Sequence, residues 1–319
     1  MKNLRLLFNK HIMKSLRESE REITISAPWG KIAGITWGNP DNPPVLLCPG
    51  RIDPCCLFRY LVMRLPSNFF YVAVDLPGNG LSDHLPVGIR FSVWDLVPTV
   101  SRVADHYQWN KFIYIGHSLG TAVGKHYLMA YPERLTRVVE LDPVPAYHTV
   151  FPEEMKDWYH EVYGKHYEER QYRKHAGSKA TAPRYTYDQI KTLLMKAQDF
   201  SEAVVEEIIT RHVVPAGDNL YRFTYDQRMK SLFKLPYLPE QLKAMYTSHR
   251  TPLLTIFSSS SVDKGDFSRV PFVFDEEQWP HRNYKYMIVE GSHEAYAQQP
   301  QCMSDDISKF LLNDLKSKL

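Results

Sequence analysis

The chain has 319 residues, 44% of them apolar and 24% charged, a balance that excludes an intrinsically disordered protein. Lys plus Arg total 39 against 36 Asp plus Glu, and a net charge of +3 excludes a strongly basic nucleic-acid binder. Four cysteines, with Cys55 and Cys56 adjacent, make neither a disulfide framework nor a zinc-site spacing, and no run of about 18 apolar residues is present to span a membrane.

The expectation is therefore a soluble globular protein with reduced thiols and with neither metal nor cofactor. Residues 1–17 carry Lys2, Arg5, Lys10, Lys14 and Arg17 without an acid, and Leu4, Phe8, Ile12 and Leu16 recur at helical spacing. Two readings fit an N-terminal extension over residues 1–20: a Ser-poor mitochondrial transit peptide, or a surface helix packed on the domain. EITISAPWGKIAGITWG (22–38) places two β-branched runs around Pro28-Trp29-Gly30, a hairpin. PPVLLCPG (43–50), FFYVAVDLPGNG (69–80) and KFIYIGHSLG (111–120) are apolar strands that end in glycine-containing turns, and RVVELDP (137–143) follows. Amphipathic patterns at 93–109 and 120–134 separate them. Apolar strands alternating with such helices predict an α/β fold, a mostly parallel sheet with helices on both faces.

The rhythm stops near Pro143. From there to about Thr251 the pattern is helical, with Asp199 and Glu202 spaced like a capping box before an apolar stripe. Strands resume at PLLTIFSS (252–259) and YKYMIVEG (284–291), and a last helix is expected over 304–319. The predicted organisation is a core formed by 1–142 and 252–319, with a helical lid at 143–251 inserted in it.

The sharpest chemical signal is Gly116-His117-Ser118-Leu119-Gly120, placed between an apolar strand and a helix. In a G-x-S-x-G elbow the serine sits on a strained strand-to-helix turn. Gly116 and Gly120 are small because a Cβ at either would strike neighbouring backbone. Upstream stands Asp75-Leu76-Pro77-Gly78-Asn79-Gly80-Leu81-Ser82. D-x-P-G-x-G-x-S followed by a strand ending in G-H-S-x-G resembles the α/β-hydrolase superfamily over residues 22–142 and 252–310. PGRID (49–53) and FTYDQRMK (223–230) are similar to motifs of its serine hydrolase-like, or Kraken-type, subfamily.

The resemblance implies a nucleophile, Ser118, with a base and an acid after it in the chain. His293, in Glu290-Gly291-Ser292-His293 after the last strand, fits the base. For the acid, the superfamily's usual loop points to Asp263, with Asp266 beyond it. Some lidded relatives place the acid after the preceding strand, where this chain has Asp142. Backbone N–H groups of Leu119 and Arg51 are the implied oxyanion hole, although Pro49 and Arg51 depart from the family's usual residues there. The implied reaction is hydrolysis of a carboxylic ester or thioester through an acyl-enzyme, on a small or lipid-like acyl substrate. The alternative is a catalytically weak protein of this fold that binds a small apolar ligand. Lys165, Arg170, Arg173, Lys174, Lys179 and Arg184 in the lid read as a solvated helix face, or else as a mouth for a CoA or lipid phosphate. Finally, Ser317-Lys318-Leu319 matches the address read by the peroxisomal import receptor, against cytoplasmic or mitochondrial alternatives.

Overall fold

A computed structural model describes residues 16–88, 90–175, 182–198, 200–232 and 235–312. The tail tripeptide and most of the basic N-terminal segment lie outside the described residues. Strand β1 (Arg21–Ala27) and β2 (Gly30–Trp37) form the expected hairpin, with Gly30 at φ +139° closing the turn. The chain continues through β3 (Pro44–Cys48), β4 (Phe70–Val74), β5 (Phe112–His117) and β6 (Leu135–Leu141). Three short strands, β7 (Tyr185–Thr186), β8 (Val213–Pro215) and β9 (Leu220–Phe223), belong to the inserted segment. Then β10 (Leu253–Ser258) and β11 (Tyr284–Val289) complete the main sheet.

That sheet has eight strands in the order β1-β2-β4-β3-β5-β6-β10-β11. β2 is antiparallel to β1 and to β4, and every other pairing in it is parallel. The period-two alternation of each strand divides its side chains between two cores. Val45, Leu47, Ile113 and Ile115 enter one, while Leu46, Cys48, Phe112 and Tyr114 enter the other. Because both faces are covered, the central strands β3 and β4 read in the sequence as uninterrupted apolar runs. Helices α1 (Pro98–His106) and α2 (Leu119–Ala130) pack on the second face.

The inserted segment carries α3 (Tyr187–Gln198), α4 (Glu202–His212) and α5 (Pro239–Tyr246). Its β7-β9-β8 sheet was not legible in the sequence, because strands of two to four residues are too short to show a period. The N-cap of α4 is Ser201, whose hydroxyl accepts from the Val204 amide; Asp199 is outside the described residues. Val205, Ile208 and Ile209 of α4 join the first apolar core, so this segment is continuous with the sheet packing.

Polar contacts fix the same segment to the loop after β4. Arg211 donates from Nε to Asp75 (2.9 Å) and from Nη1 to Glu22 (2.6 Å), with Asp75 fully buried. The Asp226 amide donates to Gly78 O (2.7 Å), and Arg228 bonds Asp226 and the carbonyls of Leu85 and Pro86. After β10 the chain turns through α6 (Ser259–Asp263). α7 (Ala295–Gln298) and α8 (Ser304–Leu311) follow β11 and close the first face. α8 covers the described part of the helix expected over 304–319.

Candidate active site

Ser118 joins β5 to α2 at φ 50°, ψ −113°, a positive-φ conformation that costs a non-glycine residue on the order of 1–3 kcal/mol. The turn can be this sharp because the residues two positions before and after Ser118 are glycines. A Cβ on Gly120 would lie 2.1 Å from Cys48 O, and one on Gly116 would lie 2.7 Å from Gly120 C. The Ser118 amide donates to Leu141 O (2.9 Å), tying the elbow to the end of β6. The expected strand–turn–helix elbow is present.

Asp142 follows β6 directly, at φ 43°, with its amide donating to Ile256 O (2.8 Å). Its buried carboxylate accepts from Ser258 N (3.0 Å), Ser258 Oγ (2.9 Å) and Ser261 Oγ (2.6 Å), and from His293 Nδ1 at 2.5 Å. Burial opposes the charge, but the hydrogen bonds from His293, Ser261 and Ser258 prevail and hold the carboxyl below its ordinary range. The serine run 258–261 is therefore the cradle of this carboxylate.

Asp142, and not Asp263, is the carboxylate on His293. After β10 the chain winds at once into α6, with Ser258 as its N-cap, and this carries Asp263 to the exposed far end. Asp266 is exposed as well and borders the cavity described next. The resemblance to the superfamily pointed to Asp263, and the tight helical turn that follows Ser258 is what carries that residue away.

Ser118 and His293 line one cavity of about 500 Å³, together with Leu119 and Arg51, whose amides the sequence assigned to an oxyanion hole. The turn before Arg51 is tightly confined. A Cβ on Gly50 would fall 2.3 Å from Asp53 Oδ2, and the β-branched Ile52 is held at φ 71°. The Arg51 guanidinium reaches across to the inserted segment and donates to Met229 O (3.2 Å) and Lys230 O (2.7 Å). The cavity is also bordered by Lys230 and Lys264.

The basic residues singled out earlier in the insertion lie elsewhere. Lys165 pairs with Glu161 and Arg173 with Glu169, as exposed i,i+4 partners, which is the solvated-face reading. Neither these two nor Arg170 or Arg184 borders the cavity; Lys179 and the Lys174 side chain are outside the described residues.

Behind His293 lies a buried group that sequence reasoning missed. His117 Nε2 donates to the His293 carbonyl (3.0 Å), and its Nδ1 lies 3.5 Å from Asp53 Oδ2. Glu294 Oε2 is 3.8 Å from His117 Nε2, and Tyr296 lies against the His117 ring at a centroid distance of 4.3 Å. Burial, reinforced by the charges of Asp53 and Asp142, pushes the Glu294 carboxyl well above its usual range. Burial likewise lowers His117, which favours its neutral ring. The only sequence hints were a histidine inside the elbow and an acid directly after His293.

His117, His293 and Glu294 bring ligand atoms within 4.8 Å of one another, the one such grouping among the described residues. Two of the ring nitrogens already serve other partners: His293 Nδ1 binds Asp142, and His117 Nε2 holds the His293 carbonyl. The cysteines are no better placed for chemistry. Cys48, Cys55 and Cys56 are buried free thiols, and burial pushes Cys48 and Cys56 up to about 12, away from the reactive thiolate.

Comparison with known proteins agrees with this architecture. Residues 43–186 match the model of the alpha/beta hydrolase fold. A serine hydrolase-like protein of Danio rerio is 28% identical over 300 residues, covering 93% of this chain and 90% of its own. A probable serine hydrolase of Drosophila melanogaster is 26% identical, covering 92% and 88%. The crystal structure of a hypothetical protein from Pseudomonas aeruginosa superposes with a TM-score of 0.75 at 22% identity, covering 91% of this chain and 97% of that one. The chain has the α/β-hydrolase fold, and its sequence is similar to those of serine hydrolase-like proteins.

Proposed function

We propose that the protein is a serine hydrolase that cleaves a carboxylic ester or thioester through an acyl-enzyme. The observation that carries this reading is the Asp142–His293 hydrogen bond beside a strained Ser118 that opens on the same cavity. A serine hydroxyl is a weak nucleophile at neutral pH and needs a base. With Nδ1 committed to Asp142, the other ring nitrogen of His293 is left to take the Ser118 proton as the hydroxyl attacks the acyl carbonyl. Asp142 fixes the ring's tautomer and stabilises the imidazolium that forms. Charge that develops on the carbonyl oxygen is received by the Leu119 and Arg51 amides. The imidazolium then protonates the leaving group, and water, deprotonated by the same ring, releases the acid.

The relatives' names and the elbow support a serine nucleophile in preference to a carboxylate one, because the nucleophile position holds Ser118. The test is a fluorophosphonate probe together with short p-nitrophenyl esters. The wild type should be labelled and should turn the esters over, and Ser118→Ala should lose both by several powers of ten. A wild type that is neither labelled nor active would favour the alternative, a ligand-binding protein on this fold.

A further inference from the structure

The charges around the cavity point to the kind of acyl compound it takes. Arg51, Lys230 and Lys264 border it, against one carboxylate on the rim, Asp266. All four residues are exposed at the cavity mouth, where solvent and a ligand can both reach them. No ion pair joins any of the three cations to a carboxylate within 4.0 Å among the described residues. That contrasts with the basic residues on the outside of the inserted segment, where Lys165, Arg173 and Lys191 each meet a glutamate.

Two of the three cations are also held in place. The Arg51 guanidinium is fixed by the carbonyls of Met229 and Lys230, neutral acceptors that orient the group without cancelling its charge. Lys230 Nζ lies 5.2 Å from the centre of the Tyr225 ring, again a partner that leaves the charge intact. Below this rim apolar walls formed by Val93, Leu119, Val144 and Leu232 are interrupted by His126 and His148. A chamber with such walls and a fixed cationic mouth suits a molecule with an apolar part and one anionic group. A neutral ester would leave three cations unanswered, and a cationic one would be repelled.

We propose that this cavity selects acyl esters or thioesters that carry a carboxylate or phosphate group, read by Arg51, Lys230 and Lys264. The inference rests on the serine hydrolase reading for the reaction and adds the charge of the substrate. Two ester pairs test it. Hydrogen glutarate p-nitrophenyl ester against p-nitrophenyl pentanoate places the charge on the acyl side. 3-Acetoxybenzoate against its methyl ester places it on the leaving group. In at least one pair the wild type should favour the anionic member about tenfold in kcat/KM, and the responding pair tells which side of the ester the cations face. The double reversal Lys230→Glu/Lys264→Glu should cut that ratio about tenfold, and the preference should fade in 1 M salt, where charges are screened within about 3 Å.

Ratios at or below one in both wild-type pairs, or a preference untouched by the double reversal, would overturn the inference. To separate it from the reaction itself, calorimetric binding of the same esters to Ser118→Ala reads charge preference without turnover. Preference in binding with no turnover by the wild type supports the inference and counts only against the esterase reading. Turnover of the neutral esters without charge preference does the opposite.

Discussion

Replacing Asp142 by Asn removes a charge and almost no volume, so it isolates what the carboxylate does for His293. The carboxylate accepts four hydrogen bonds, from Ser258 N, Ser258 Oγ, Ser261 Oγ and His293 Nδ1, and all four donors surround it within 3.0 Å. An asparagine amide offers one acceptor oxygen and one NH₂, so at least one of these donors must face another donor. Serine hydroxyls can rotate away; the imidazole can respond only by changing tautomer, which puts its proton on the nitrogen that has to be free. The expected loss in kcat is about 10⁴-fold, or about 5 kcal/mol of transition-state stabilisation. Asp263→Asn, on an exposed helix end, should stay near wild type. The assay is kcat on a short p-nitrophenyl ester, with thermal unfolding as a control for the fold. Stability should report the same group. Because the folded carboxyl titrates below its ordinary range, its contribution is fully present above about pH 4 and is lost as pH falls through the folded value. The gap in stability between wild type and Asp142→Asn should therefore close as pH falls below about 4. Asp142→Asn within tenfold of wild type, or Asp263→Asn the more damaged, would refute the assignment.

Three other outcomes are expected. Gly120→Ala places a Cβ 2.1 Å from the Cys48 carbonyl, so it should lower the unfolding temperature and abolish ester turnover together; a stable, active variant would contradict the elbow packing. Lys125 is fully buried on α2, 2.8 Å from Glu140 and ringed by Tyr147, Tyr246 and Trp279. Lys125→Met strands the Glu140 charge and should cost about 3–5 kcal/mol in urea unfolding, while adding Glu140→Gln should return most of it. A reporter ending in Ser317-Lys318-Leu319 with a free carboxylate should collect in peroxisomes and become diffuse without Leu319; the same diffuse signal from both would reject that address.

The parts of this protein that were legible in its sequence are those in which a short local pattern forces one geometry. GHSLG could be read because an elbow leaves room for nothing larger than glycine two residues before and two residues after the serine. The central parallel strands could be read because burial on both faces makes β3 and β4 wholly apolar. The acid was harder. Asp142 and Asp263 follow strands that are neighbours in the sheet, and parallel pairing of β6 with β10 brings the ends of both to one place. Distance along the chain cannot choose between two such carboxylates. The choice is made by where the chain goes afterwards, and the Ser258 cap starts a helix that leaves Asp142 with the serines. The buried group of Asp53, His117 and Glu294 was invisible for a similar reason, since its members come from three separated segments and only the tertiary fold collects them.

The upstream motif of the resemblance, DLPGNGLS, turns out to serve architecture. Asp75, itself fully buried, accepts from the amides of Cys55 (2.7 Å) and Leu81 (2.9 Å) and from Arg211 of the inserted segment. Gly80 is required there because a Cβ would lie 2.2 Å from Asp75 Cγ. One carboxylate thus joins the chain just after the Arg51 turn, its own loop and the insertion, and Gly78 then receives Asp226 a few residues before Lys230. Losing Arg211 would leave Asp75 buried and short of its cation, a change worth about 3–5 kcal/mol in comparable pairs. The larger consequence would be positional, because Arg51 and Lys230 are set against each other by this junction. The residues that would read a substrate's charge therefore depend on a motif that never touches the substrate. Substrate choice can in that case vary through the insertion's few cavity-facing side chains, while the elbow, the Asp142–His293 pair and the Asp75 junction stay as they are.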